Sequence, residues 1–222
     1  MNTANYACRS FGAVLTLALA VISLPGRADD AVHLDFMTHA SFFSAETHQP
    51  KPLDPHVFVA DASAAAAVGP QNIQHVAGIR PALIDQDPKS AALVNAKGEA
   101  LEFNLGGWLA AKGTVAITPS GGGKAEILIQ FSHLQPGGHY SLFENHFDQK
   151  PIGFTPLDGM GKTNDFVAGA DGTAKLTVTA PHMLTHDNAV LLVYHSDRTA
   201  HGEQRGEIGV NAHHQLIARI PQ

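Results

Sequence analysis

From Gly98 to the C-terminus the chain repeats one unit: a short stretch in which every second residue is apolar, then a turn of glycine, proline or aspartate. Successive side chains of an extended strand point to opposite faces of its sheet, so a period of two commits this region to strands. Leu101, Phe103 and Leu105 alternate within 98–109. Val115 and Ile117 share one face of 113–118, and Ile127, Ile129 and Phe131 share one face of the next run. The glycine-rich segment 119–124 between them reads as the turn of a hairpin. Pro136-Gly137-Gly138 turns the chain into His139–Glu144, and Asp171-Gly172 opens a further strand with Ala174, Leu176 and Val178 inward. Residues 145–166 form a long irregular connection. With almost no helical periodicity, the expected fold is all-β: an antiparallel Greek-key β-sandwich or flattened barrel over 98–222.

The stretch 188–220 gives this fold its most informative segment. An apolar run, Ala189 to Tyr194, ends on His195. A polar loop then carries Asp197, His201, Glu203, Arg205 and Glu207, and a final strand includes Leu216, Ala218 and Ile220. A buried strand that delivers a histidine into a charged loop is where a site on such a scaffold would sit.

Residues 29–97 read as an N-terminal extension, either packed on the sandwich or partly disordered. Val32–Phe36 and Val57–Ala60 have the composition of short strands. Three prolines between Pro50 and Pro55 impose loop or extended chain. The alanine-rich 62–68 suggests a helical turn or two before Gly69-Pro70, and 80–90 reads as a connector.

Residues 1–28 have the organisation of a secretory signal peptide: Arg9, an apolar run from Phe11 to Leu24, then Gly26-Arg27-Ala28. That run is short for a membrane span, so the mature form is expected to have none and to be secreted or periplasmic. Cys8, the only cysteine, lies within the signal, which leaves no thiol for a disulfide or a thiolate metal site. Loss of Arg9 and Arg27 takes the formal charge from −6 to −8. A chain this acidic has no basic patch to neutralise phosphates, so nucleic acid is not an expected partner. Histidine is unusually abundant, with 14, as many as lysine and arginine together. Such enrichment points to metal binding or to pH sensitivity. The G-x-S-x-G elbow, H-E-x-x-H and the P-loop are all missing from the sequence.

Four segments resemble the copper/zinc superoxide dismutase family. Leu134-Gln-Pro-Gly-Gly-His139 resembles the turn before that family's copper-binding strand. Gly169-Ala-Asp-Gly-Thr-Ala174 is similar to its A-D-G-x-A hairpin, and Leu192-Val-Tyr-His195 to the strand whose histidine binds copper. Asn211-Ala-His-His-Gln-Leu216 resembles the segment before its terminal strand. The four occur in the family's order. The resemblance implies a dismutase-like sandwich, with His195 as an inherited copper ligand.

The rest of the family's site departs from this pattern. Its His-x-His pair falls on Leu142 and Glu144, its bridging histidine on Gly153, its zinc aspartate on Lys162 and its guiding arginine on Gln215. One histidine cannot fix a redox copper ion. A substitute set is expected from Glu144, His146 and His195, with His201, His213 and His214 from the flanking loop and strand. A carboxylate and several imidazoles suit copper or zinc. The simpler alternative is that Glu144 and His195 hydrogen-bond each other in a cleft, and that His213 and His214 straddle the sheet.

The resulting expectation is an exported, histidine-rich, non-catalytic protein that binds a metal ion or small ligand. The alternative is a metal-dependent oxidoreductase of superoxide dismutase type with a rebuilt site. The signal makes a first prediction: protein recovered from a secreting host should begin near Asp29, which N-terminal sequencing or intact mass will check.

Overall fold

The computed structural model describes Met1 and residues 31–222. The expected signal, with Cys8, lies outside the described residues. The N-terminal part runs through β1 (Val32–Asp35), β2 (Met37–Thr38), α1 (His39–Glu46), β3 (Leu53–Ala60), β4 (Ala67–Val68), β5 (Gln74–His75), β6 (Ile79–Leu83) and β7 (Ala92–Val94). Then come β8 (Ala100–Asn104), α2 (Leu105–Ala110), β9 (Lys112–Ser120), β10 (Lys124–Ser132) and β11 (His139–His146). The chain ends with β12 (Gly153–Pro156), β13 (Asp165–Val167), β14 (Ala174–Ala180), β15 (Asn188–His195) and β16 (Ala212–Arg219). No helix among the described residues is long and apolar enough to cross a membrane.

The protein is all-β, and its named strands pair antiparallel throughout. One sheet has the order β1-β9-β10-β14; a second runs β12-β11-β15-β16-β2, with β13 also on β11; a third runs β6-β3-β7-β8. Among the described residues no sheet closes on itself, so the flattened-barrel variant gives way to open sheets packed on one another.

The period-two pattern sets the principal core. Ile127 and Ile129 of β10, Val115 and Ile117 of β9, and Leu192 and Leu216 of the second sheet are buried in one cluster. The β9–β10 turn uses Gly122 and Gly123 at φ of 76° and 79°, a backbone region that other residues enter at a cost. Gly113 lies opposite Phe131, and a Cβ there would strike the Phe131 ring and crowd Phe36.

β15 differs from the outer strands because every one of its residues is buried. Val190, Leu192 and Tyr194 face the principal core, while Ala189, Leu191 and Val193 face a second cluster with Phe143 and Ile217. This is why its sequence is continuously apolar rather than alternating.

The structure corrects several expectations for the N-terminal half. Residues 62–68 form a turn and the two-residue β4, because so short an alanine run is marginal as a helix and has no large apolar face to bury. The supposed connector from Arg80 begins as strand β6, paired with β3. The alternation through Leu105 ends at Asn104, whose side chain accepts a 2.7 Å hydrogen bond from the Gly107 amide and starts α2. Strand β7 pairs with β8 across residue 97, and β1 is an edge of the first sheet. The Asn95 side chain donates to the Val210 carbonyl at 2.9 Å, and Trp108 Nε1 to buried Asp54 at 2.8 Å. Residues 32–97 are thus woven into the same sheets and core as the rest.

Leu192 lies fully buried against the principal core. Leu192→Ala should lower unfolding stability by about 2–5 kcal/mol through lost burial and a residual cavity, to be read from urea denaturation.

Candidate functional site

Strand register decides which of the expected residues meet. β11 and β15 are antiparallel, with His139 opposite His195 and Glu144 opposite Val190. His195 is therefore five residues beyond the partner of Glu144, about 17 Å along the ladder. The two also point to opposite faces. Glu144 and His195 do not share a site, and this corrects the expectation that they do.

Glu144 and His146 do meet. The strand continues to His146, and residues two apart face the same way. Buried Glu144 Oε1 lies 3.0 Å from His182 Nε2 and 3.6 Å from His146 Nδ1. His146 Nε2 is also 2.9 Å from the Thr155 hydroxyl. One carboxylate oxygen is thus shared by two imidazoles at one end of the sheet.

His195 and His201 meet at the other end. Their ring centroids are 5.0 Å apart, and each offers a nitrogen within 4.8 Å of the other and of an Asp197 oxygen. His195 is fully buried, whereas Asp197 and His201 stand on the loop after β15 and are accessible. The His195 Nε2 contacts the Ser141 hydroxyl at 2.7 Å, while its Nδ1 is buried without a partner. His201 Nε2 and Asn211 Nδ2 both lie on Asp197 Oδ2, at 3.0 and 2.9 Å. Burial first, then neighbouring His201, lowers the His195 pKa to about 4, against the opposing pull of Asp197.

His213 stands apart from both groups. Its Nδ1 lies 2.9 Å from the His56 carbonyl and its Nε2 3.2 Å from the Ser196 hydroxyl, under Trp108 and Tyr194. Burial lowers its pKa to about 4. His213 and His214 do straddle the sheet, yet both are buried, because both of its faces are covered.

A third group joins His214 to two histidines that the sequence did not single out. His39, His56 and His214 are buried together, with one nitrogen of each within 4.8 Å of the others, a spacing that could hold a metal ion. The His39 and His56 rings stack at 4.8 Å, and His214 stands edge-on to both. The backbone N–H of His214 donates to His56 Nδ1 at 3.0 Å, and His56 Nε2 lies 2.6 Å from Gln71 Oε1. Burial lowers His39 to about 3, and drives His56 and His214 well below the usual histidine range. Residues 39, 56 and 214 come from α1, β3 and β16, so no local spacing announces them. No protein-family model and no curated protein matches this chain.

These lowered values give stability a definite pH dependence. Between about pH 6.5 and 4 the unfolded chain takes up protons on its histidines while the buried imidazoles stay neutral. Stability from these groups is complete above the unfolded value and is lost as pH falls. Buried Asp54, raised by desolvation to about 6, works in the other direction, but it is one group against several. Urea denaturation should show a clear loss from pH 7 to pH 5, up to about 2 kcal/mol for each histidine held neutral. His213→Gln should flatten that slope, and an equal slope in the variant would contradict the assignment.

Proposed function

We propose that this chain is an exported metal-binding protein on a dismutase-like sandwich, with His195, Asp197 and His201 holding a copper or zinc ion. The observation that carries this reading is the buried His195 ring, whose Nδ1 has no partner and which brings one of its nitrogens within 4.8 Å of an Asp197 oxygen and a His201 nitrogen. A buried ring nitrogen without a hydrogen bond costs free energy unless it gains another partner. The Ser141 hydroxyl can accept from His195 Nε2–H, which leaves the Nδ1 lone pair free and fixes the ring, as an outer partner does for a metal ligand. His201 would exchange its hydrogen bond to Asp197 for the metal, carrying its proton on the other ring nitrogen. Two imidazoles and a carboxylate are an acceptable donor set for copper(II) or zinc, with positions left for water or a ligand.

The connectivity supports the family resemblance. The chain passes from the first sheet to the second between β10 and β11, returns between β13 and β14, and crosses again to β15. Crossings of this kind build a Greek-key sandwich. The donor set nevertheless differs from the family's, with only His195 in common. An apolar leader and an acidic, cysteine-free mature chain support export.

Calorimetric titration of chelator-stripped protein with Cu2+ or Zn2+ should give one saturable site. His195→Ala should abolish it, and His201→Ala should weaken it by about tenfold or more. Unchanged affinity in His195→Ala would sink the site. A superoxide assay on the loaded protein separates binding from turnover.

A further inference from the structure

Two cavities adjoin on the second face of the central sheet. One, of about 300 Å3, has walls that include Phe42, Phe147 and Phe154, with His39, Asn145 and His214 among its polar groups. The other, of about 380 Å3, is bounded by Arg205, Ile208 and Pro151. Gln71, Ile152, Phe154 and His214 line both, so together they form one cleft. The metal group proposed above uses none of these residues.

Arg205 gives the cleft its unpaired charge, because Glu46, the carboxylate that lines it, is paired with Arg219 at 3.4 Å. Its guanidinium carbon lies 3.2 Å from the Phe154 ring centroid, and Nη1 donates to His214 Nε2 at 3.2 Å. Among the described residues no carboxylate forms an ion pair with it. A half-buried cation that faces only an aromatic ring and a neutral imidazole lacks a counter-charge.

The proton positions follow from Arg205, which can only donate. His214 Nε2 must accept, so His214 carries its proton on Nδ1 and directs it at His39 Nε2, 3.4 Å away. His39 then keeps its own proton on Nδ1, which is buried with no partner. On the other side, His56 accepts at Nδ1 and donates from Nε2 to Gln71 Oε1, which leaves the Gln71 amide hydrogens free. Asn145, also buried, has an unpartnered Oδ1. Uncommitted donors of Arg205 and Gln71 therefore line the cleft. This arrangement works against a cation in the His39–His56–His214 group: a metal on His214 Nδ1 would force Nε2–H against the Arg205 donor.

We propose that the cleft binds a small monocarboxylic acid with an aromatic body, its carboxylate on Arg205 and its ring among Phe42, Phe147 and Phe154. Arginine pairs with a carboxylate through two parallel hydrogen bonds. The aromatic walls match a flat apolar body, and a cavity of about 300 Å3 is at the small end for ligand sites, fitting a single ring.

The test uses the full mature chain in chelator, titrated calorimetrically with benzoate and phenylacetate, and with benzamide as the neutral counterpart. The carboxylates should bind saturably at one site, with benzamide about tenfold weaker or more. Arg205→Gln should bring the carboxylates down to the affinity of benzamide, and Phe154→Ala should weaken all three. Ile152→Trp, made at the partly exposed rim, should block binding without touching Arg205. It keeps the test decisive if Arg205→Gln does not fold. Absence of saturable binding by the native chain, equal affinity for benzoate and benzamide, or unchanged binding in Arg205→Gln or Ile152→Trp would each overturn the proposal. Because chelator is present throughout, the outcome is independent of whether His195, Asp197 and His201 hold a metal.

Discussion

Burial of β15 on both faces constrains most of what this protein can do with its polar residues. The principal core covers one side of the strand, and a second cluster with Phe143 and Ile217 covers the other. Water is therefore excluded from both surfaces of the central sheet. That sheet still carries Ser141, Glu144, Asn145, His195, His213, His214 and Gln215, all buried. Each must find a partner inside the protein or pay for being unpaired. Neutral imidazole suits such a setting, because it offers one donor and one acceptor without a charge to desolvate. The lowered pKa values of His195, His213 and His214 are the electrostatic trace of the same exclusion.

A single bulge distributes these side chains. Leu216 pairs with Leu192 and His214 with Val193, so Gln215 is the extra residue between them. Without it, a period of two would exchange the faces of His213 and His214. The bulge sends His213 beneath Trp108 and Tyr194 and His214 into the group with His39 and His56. It also lets the Gln215 side chain reach the Trp108 carbonyl at 3.0 Å, which fastens α2 to β16. The loop between β15 and β16 then serves two neighbouring places. Asp197 and His201 close around His195, and Arg205 reaches His214 and Phe154.

Much of the strand framework was legible because burial on one face imposes alternation. The β9–β10 hairpin, the strand after Asp171-Gly172, and the buried run ending on His195 all follow that rule. Elements with weak or mixed patterns were not legible. Strand β6 holds Arg80 and Pro81, and its place is fixed by pairing with β3. Helix α2 contains two glycines and depends on the Asn104 cap and on the burial of Trp108. For the site, His195 and His201 could be named from the loop they share. Asp197, two residues from His195, was visible but had no distinguishing feature. The spacing of Glu144 and His146 was readable, because residues two apart on one strand share a face.

The sequence by itself determined that this chain is a β protein with histidines delivered by a buried strand, since periodicity is a local property. It did not determine which polar groups converge. Antiparallel register placed Glu144 and His195 at opposite ends of the same pair of strands. A bulge chose the face of His214, and packing of α1 and β3 against β16 brought His39 and His56 to it. These outcomes depend on contacts between residues as far as 175 positions apart in the chain. Such contacts are fixed by how the layers bury one another, and no short window of sequence encodes that.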